Sequence, residues 1–111
     1  MKLHIVSDLH LEFGDLTLPG GETLIVAGDI FEARSLRRND SGLGRKIAYA
    51  CRRFVNEEFA KYENVLYIPG NHEYYGRTIE DAEAILMADL PLHVEFLQDD
   101  AIVLGKHRFY G

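Results

Sequence analysis

Three short apolar runs in this chain each stop at a polar loop. They read LHIV–SDLH, TLIVA–GDI and VLYI–PGNHEYYG. Runs this short, ended by glycine, asparagine, aspartate or proline, are strands rather than buried helix segments. The spacing predicts strands over Lys2–Val6, Leu24–Ala27 and Val65–Ile68. The second is continuous and β-branched, as a strand covered on both faces should be. Polar loops that follow every strand at the same end predict a mainly parallel sheet in an α/β fold. In such sheets ligands bind beyond the carboxyl ends of the strands.

The connections decide the topology. From about Leu43 to Tyr62, Ile47, Cys51, Phe54, Val55, Phe59 and Tyr62 form one apolar stripe at helical spacing. Asn39, Asp40 and Ser41 are its N-cap candidates. Strand, helix and strand then make a βαβ unit, which should be right-handed. The earlier connection, Ser7 to Thr23, contains Gly14, Pro19, Gly20 and Gly21 and has no such stripe, so it crosses over as a loop. Thr78 to Asp81 matches a capping box that opens a helix to about Asp89, with Ile79, Ala82, Ile85 and Leu86 inward. His93–Leu97 alternates. Ala101–Leu104 and His107–Tyr110 flank Gly105–Lys106, the pattern of a C-terminal hairpin with a two-residue turn.

The chain has 111 residues, 47% of them hydrophobic and 27% charged, which is enough for one domain with a real core. Cys51 is the only cysteine. An internal disulfide and a cysteine metal cage are therefore excluded, and a reducing, cytoplasmic setting is expected. No signal peptide and no run of about 20 apolar residues is present, so no membrane is expected as partner. A net charge of −6 argues against whole-surface nucleic-acid binding. Yet Arg34, Arg37, Arg38, Arg45, Lys46, Arg52 and Arg53 crowd one segment whose only acid is Asp40. A solvated helix face accounts for such a run. Arg34, Arg37 and Arg38 also follow the second loop, where they would form a phosphate-attracting substrate rim.

Asp8, His10, Asp29, Asn71 and His72 all fall just past strand ends. If the strands are neighbours, the five side chains meet. Carboxylates with imidazole suit Mn²⁺, Fe or Zn²⁺, and one aspartate can bridge two cations. Two cations about 3.5–4 Å apart can clamp a phosphoryl group in flight. An unliganded histidine beside them could protonate a leaving oxygen. Each motif by itself has a plainer reading: strand capping for Asp8 and His10, a helix N-cap for Asp29, a tight turn for Asn71 and His72. Tyr74 and Tyr75 either stack on an aryl group or pack on the following helix. His4, His93 and His107 read as structural.

In order along the chain, Asp8-Leu9-His10, Gly28-Asp29 and Gly70-Asn71-His72-Glu73 resemble the first three signatures of the calcineurin-like metallophosphoesterase superfamily, D-x-H, G-D and G-N-H-[DE]. The resemblance implies an αββα sandwich and hydrolysis of phosphomonoesters or phosphodiesters by metal-activated hydroxide. It implies that Asp8 and His10 hold a first metal, that Asp29 bridges to a second, and that Asn71 holds the second. His72 would be the catalytic acid or transition-state donor, and Glu73 would orient its loop from behind. The substrate would be a phosphorylated small molecule or nucleotide. The family's later lone histidine and its G-H-x-H are absent, and His93 and His107 match neither. Residues 1–111 are therefore expected to form a partial domain, the N-terminal half of the sandwich truncated before its last ligands. The full family site is dinuclear; one ion is expected here. An exposed sheet edge would offer self-association. The alternative is a non-catalytic scaffold of the same fold, as in the superfamily's retromer subunit. A Rossmann-type nucleotide binder is disfavoured, because no G-x-G-x-x-G follows the first strand.

Overall fold

The computed structural model describes residues 2–11, 16–37 and 42–111. The three apolar runs are strands β1 (Leu3–Val6), β2 (Gly21–Ala27) and β3 (Tyr62–Ile68). A short fourth strand, β4 (Val94–Phe96), arises from the alternating segment, and all four pair in parallel in the order β1-β2-β3-β4. The rows are in strict register, with Ile5 beside Ile25 and Ile25 beside Leu66. The second sheet is the expected hairpin, β5 (Ala101–Leu104) with β6 (His107–Tyr110). Its Gly105 takes φ +59°, as a two-residue hairpin turn requires of its first position. The fold is thus α/β, with a four-strand parallel sheet and a small antiparallel one.

Helices α1 (Gly42–Arg53) and α2 (Ile79–Asp89) supply the other layer. Val6, Leu24, Val26, Val65, Tyr67, Val94 and Phe96 share one core with Cys51, Phe54, Val55, Phe59, Ala82, Ile85 and Leu86. A parallel sheet whose strands follow chain order with right-handed crossovers puts every connection on one face. The opposite face is only partly covered. Ile68 and Leu97 pack closely against Gly111, but Leu3 and Ile5 stay 42% and 66% exposed.

Helical structure after α1 differs from the single helix expected to reach Tyr62. It widens into a π turn at Phe54–Glu58 and tightens into a 3-10 turn at Phe59–Lys61. The adjustment keeps Phe54, Val55, Glu58 and Phe59 all buried. Tyr62 is extended and opens β3, opposite Gly21, and its hydroxyl lies 2.8 Å from His4 Nδ1. Its place in the helical stripe was a coincidence of spacing with a strand residue that faces the same core.

Thr78 caps α2 as expected, accepting the Asp81 N–H at 3.1 Å. Ile79, expected inward, is instead 60% exposed, because the first residue after the cap lies on the outer side of the turn. Tyr74 packs on α2 and donates to Glu83 at 3.2 Å. His93 Nε2 meets the Phe59 carbonyl at 3.0 Å, a structural contact. The N-cap candidates Asn39, Asp40 and Ser41, with Gly14 and Arg38, lie outside the described residues. Among the described residues no helix is long and apolar enough to cross a membrane.

Candidate functional site at the carboxyl rim of the sheet

Parallel pairing carries the ends of β1, β2 and β3 to one rim, and the loops continue the pairing beyond the strands. Asp8 N–H donates to the Gly28 carbonyl (3.0 Å), His10 to that of Asp29 (3.3 Å) and Leu11 to that of Ile30 (2.8 Å). To keep that alignment the backbone turns left-handed at Asp8 (φ +54°), His10 (+48°) and Asp29 (+56°). Among the described residues, Asp99, before β5, is the other non-glycine residue with positive φ. Such conformations are uncommon outside glycine and cost on the order of 1–3 kcal/mol each. Asp and His tolerate them better than most residues, yet glycine would sit there with less strain.

Two glycines let the loops approach. A Cβ on Gly28 (φ +81°) would stand 2.7 Å from the Gly70 nitrogen. One on Gly70 would stand 2.4 Å from Asp29 Oδ1. Only bare backbone allows the second and third loops to touch there.

Glu73 stitches them together. It is fully buried, and each oxygen takes two donors. Oε1 accepts from Asp29 N–H (2.9 Å) and Gly70 N–H (2.7 Å); Oε2 accepts from Ile30 N–H (2.9 Å) and the Tyr67 hydroxyl (2.7 Å). That pattern fills the acceptor capacity of an ionised carboxylate. Burial first, then the charge and hydrogen bond of Glu73, push the Tyr67 phenol well above its usual range, so it stays a neutral donor.

The candidate side chains form a chain of contacts. His10 Nε2 is 4.0 Å from Asp8 Oδ1. The His10 ring meets the His72 ring edge-on, with centroids 4.7 Å apart. His72 donates its backbone N–H to Asp29 Oδ1 at 2.8 Å. Tyr75, half exposed, lies 4.6 Å from the His72 ring and accepts from the Asn71 amide at 3.1 Å. Asp8, His10, Asp29, Asn71 and His72 thus share one rim. Among the described residues, however, no three His, Cys, Asp or Glu side chains gather closely enough to hold a metal ion.

The arginines turn to carboxylates. Arg34 pairs with Glu32 at 2.6 Å, and its guanidinium fills the space where a Gly76 Cβ would lie. Arg37 pairs with Asp89 through two bonds of 2.9 and 3.0 Å. Sequence reasoning named Glu73 but missed Tyr67, its partner in the buried hub. A tyrosine inside a strand gives no signal that its hydroxyl will reach a loop six residues on. No family model, curated protein or solved structure matches the chain.

Proposed function

We propose that this chain is the N-terminal half of a metal-dependent phosphoesterase domain of the αββα calcineurin-like type, acting on phosphomonoesters or phosphodiesters. The observation that carries the reading is backbone strain at three consecutive candidate ligands. Asp8, His10 and Asp29 all stand left-handed, at the rim where a parallel sheet presents its ligand site. Strain concentrated at non-glycine residues is a signature of functional sites. The side chains there are worth more to the protein than the relaxation that glycine would bring.

The donor set fits a divalent cation in kind, since two carboxylates and an imidazole suit Mn²⁺, Fe or Zn²⁺. Asp8, His10 and Asp29 would hold a first ion; Asp29 and Asn71 would contribute to a second. Such an ion supplies Lewis acidity at a phosphoryl oxygen and acidifies water. The chain's own residues do the rest. His72, held between the His10 and Tyr75 rings, would give a proton to the leaving oxygen. Glu73 fixes the loops that carry Asp29 and His72. Arg34 and Arg37 contribute little as a rim, because Glu32 and Asp89 already neutralise them. A buried, solitary Cys51 suits a reducing, cytoplasmic setting.

The scaffold reading has one observation in its favour. Leu3 and Ile5 leave an apolar sheet face exposed on the edge strand β1 itself, a surface suited to protein contacts and self-association. Calorimetric titration with Mn²⁺, alongside hydrolysis of p-nitrophenyl phosphate, separates the two. Wild type should bind Mn²⁺ and Asp29→Asn should not, although Asn can still accept the His72 N–H. Equal binding by both proteins refutes the metal assignment, and binding by neither leaves the scaffold.

A further inference from the structure

We infer that Tyr67 is a positioning residue for the rim, acting through Glu73 on Asp29; this rests on the reading that the rim takes a cation. Tyr67 belongs to β3 and is fully buried among Phe31, Phe59 and Phe96. Their ring centroids lie 6.4, 6.3 and 6.3 Å from its own, two edge-on and Phe96 stacked. In such a place phenylalanine would suffice for packing. A buried hydroxyl costs free energy unless it is hydrogen-bonded, and this one donates to Glu73 Oε2 at 2.7 Å.

The direction of the bond is what matters. Three aromatic neighbours fix the ring, so the O–H points from the rigid core into the loop region. It fixes one oxygen of Glu73, and the other oxygen joins Asp29 N–H to Gly70 N–H. Gly70 in turn lies against the Asp29 carboxylate. A small rotation of Glu73 would therefore move both the backbone and the side chain of Asp29. The rigid part of the sheet sets the position of the candidate bridging ligand through one hydroxyl and one carboxylate.

Tyr67→Phe keeps the ring and removes only the hydroxyl. Lost support behind a metal ligand typically weakens affinity about 10–100-fold. In calorimetric titration with Mn²⁺, Tyr67→Phe should bind at least about tenfold more weakly than wild type. Without metal, the Asp29, Ile30 and Gly70 amides should exchange hydrogen faster. Phe54→Leu, which loosens the same core outside the three rings around Tyr67, should bind Mn²⁺ as wild type does. Glu73→Gln leaves the aromatic cluster intact and should weaken binding as Tyr67→Phe does. Unchanged affinity in Tyr67→Phe or in Glu73→Gln, or equal weakening in Phe54→Leu, overturns the positioning role while the cation reading stands. A wild type that binds no Mn²⁺ overturns the cation reading. Unchanged amide exchange in Tyr67→Phe overturns the positioning role independently of any metal.

Discussion

The Asp29 carboxylate accepts the backbone N–H of His72 at 2.8 Å, across the gap between two separate loops. The bond exists because Gly70 lets the loops meet. Its hypothetical Cβ would lie 2.4 Å from Asp29 Oδ1 and 2.8 Å from the Asp29 nitrogen. Gly70→Ala must displace both the Asp29 carboxylate, which the His72 N–H holds, and the Asp29 backbone nitrogen. Overpacking of this kind costs about 1–3 kcal/mol. The variant should show that loss in urea unfolding, together with weaker Mn²⁺ binding than wild type. A Gly70→Ala protein with wild-type stability would mean the loops have room to part.

Asp8 offers a cleaner test of strain. Its side chain is 64% exposed, so few contacts vanish when it is replaced. Its φ of +54° persists in Asp8→Ala, because the loop is held through the Gly28 carbonyl. Asp8→Gly relieves it. Glycine enters the left-handed region freely, whereas an L side chain there costs roughly 1–2 kcal/mol. Asp8→Gly should therefore melt about 4–8 °C above Asp8→Ala, the shift that about 1 kcal/mol produces in a domain of this size. Both variants should lose Mn²⁺ binding. Identical melting temperatures would remove the strain argument on which the proposed function rests.

What could be read in the sequence follows from where the physics is local. The strands, the hairpin turn at Gly105 and the Thr78 cap rest on neighbouring residues, and all three are present. The shared rim of Asp8, Asp29 and His72 was legible because parallel strands put their ends together. Non-local matters were hidden. Tyr62 fits a helical stripe and a strand equally well, and only its pairing with Gly21 decides between them. The alternating segment at Val94–Phe96 does not announce that it will extend the parallel sheet beside β3. The partners of Arg34 and Arg37, and the bond from Tyr67 to Glu73, depend on how elements dock.

Glu58 should govern acid stability. Its side chain is 3% exposed. Burial pushes its carboxyl up, but bonds from Lys61 (2.7 Å), Arg53 (2.8 Å) and the Leu18 N–H (2.6 Å) outweigh that and hold it at about 2. Its ordinary value is 4.5. A carboxyl lowered by folding contributes stability that is complete above its unfolded value and is lost as pH falls towards the folded one. Unfolding free energy should decline between pH 4.5 and about 2, with Glu58 supplying part of the change. Glu58→Gln should be less stable at pH 7 and show a flatter decline over that window. Parallel pH curves for the two proteins would assign the acid sensitivity elsewhere.

Tyr74 has the opposite dependence, at alkaline pH. Burial first, and then the charge and hydrogen bond of Glu83, raise its phenol from 10.0 to about 12. The folded protein keeps this proton where the unfolded chain releases it. The contribution is therefore complete below pH 10 and lost as pH rises through about 12. Phenolate absorbance at 295 nm should show a component near 12 in wild type, ahead of the fully buried Tyr67, and that component should vanish in Tyr74→Phe. Glu83→Gln removes the charge while leaving an acceptor, and should bring the late component part of the way back towards 10. If Glu83→Gln leaves it unmoved, the contact that ties the third loop to α2 is packing alone, and this loop is held at the rim by Glu73 rather than by the helix.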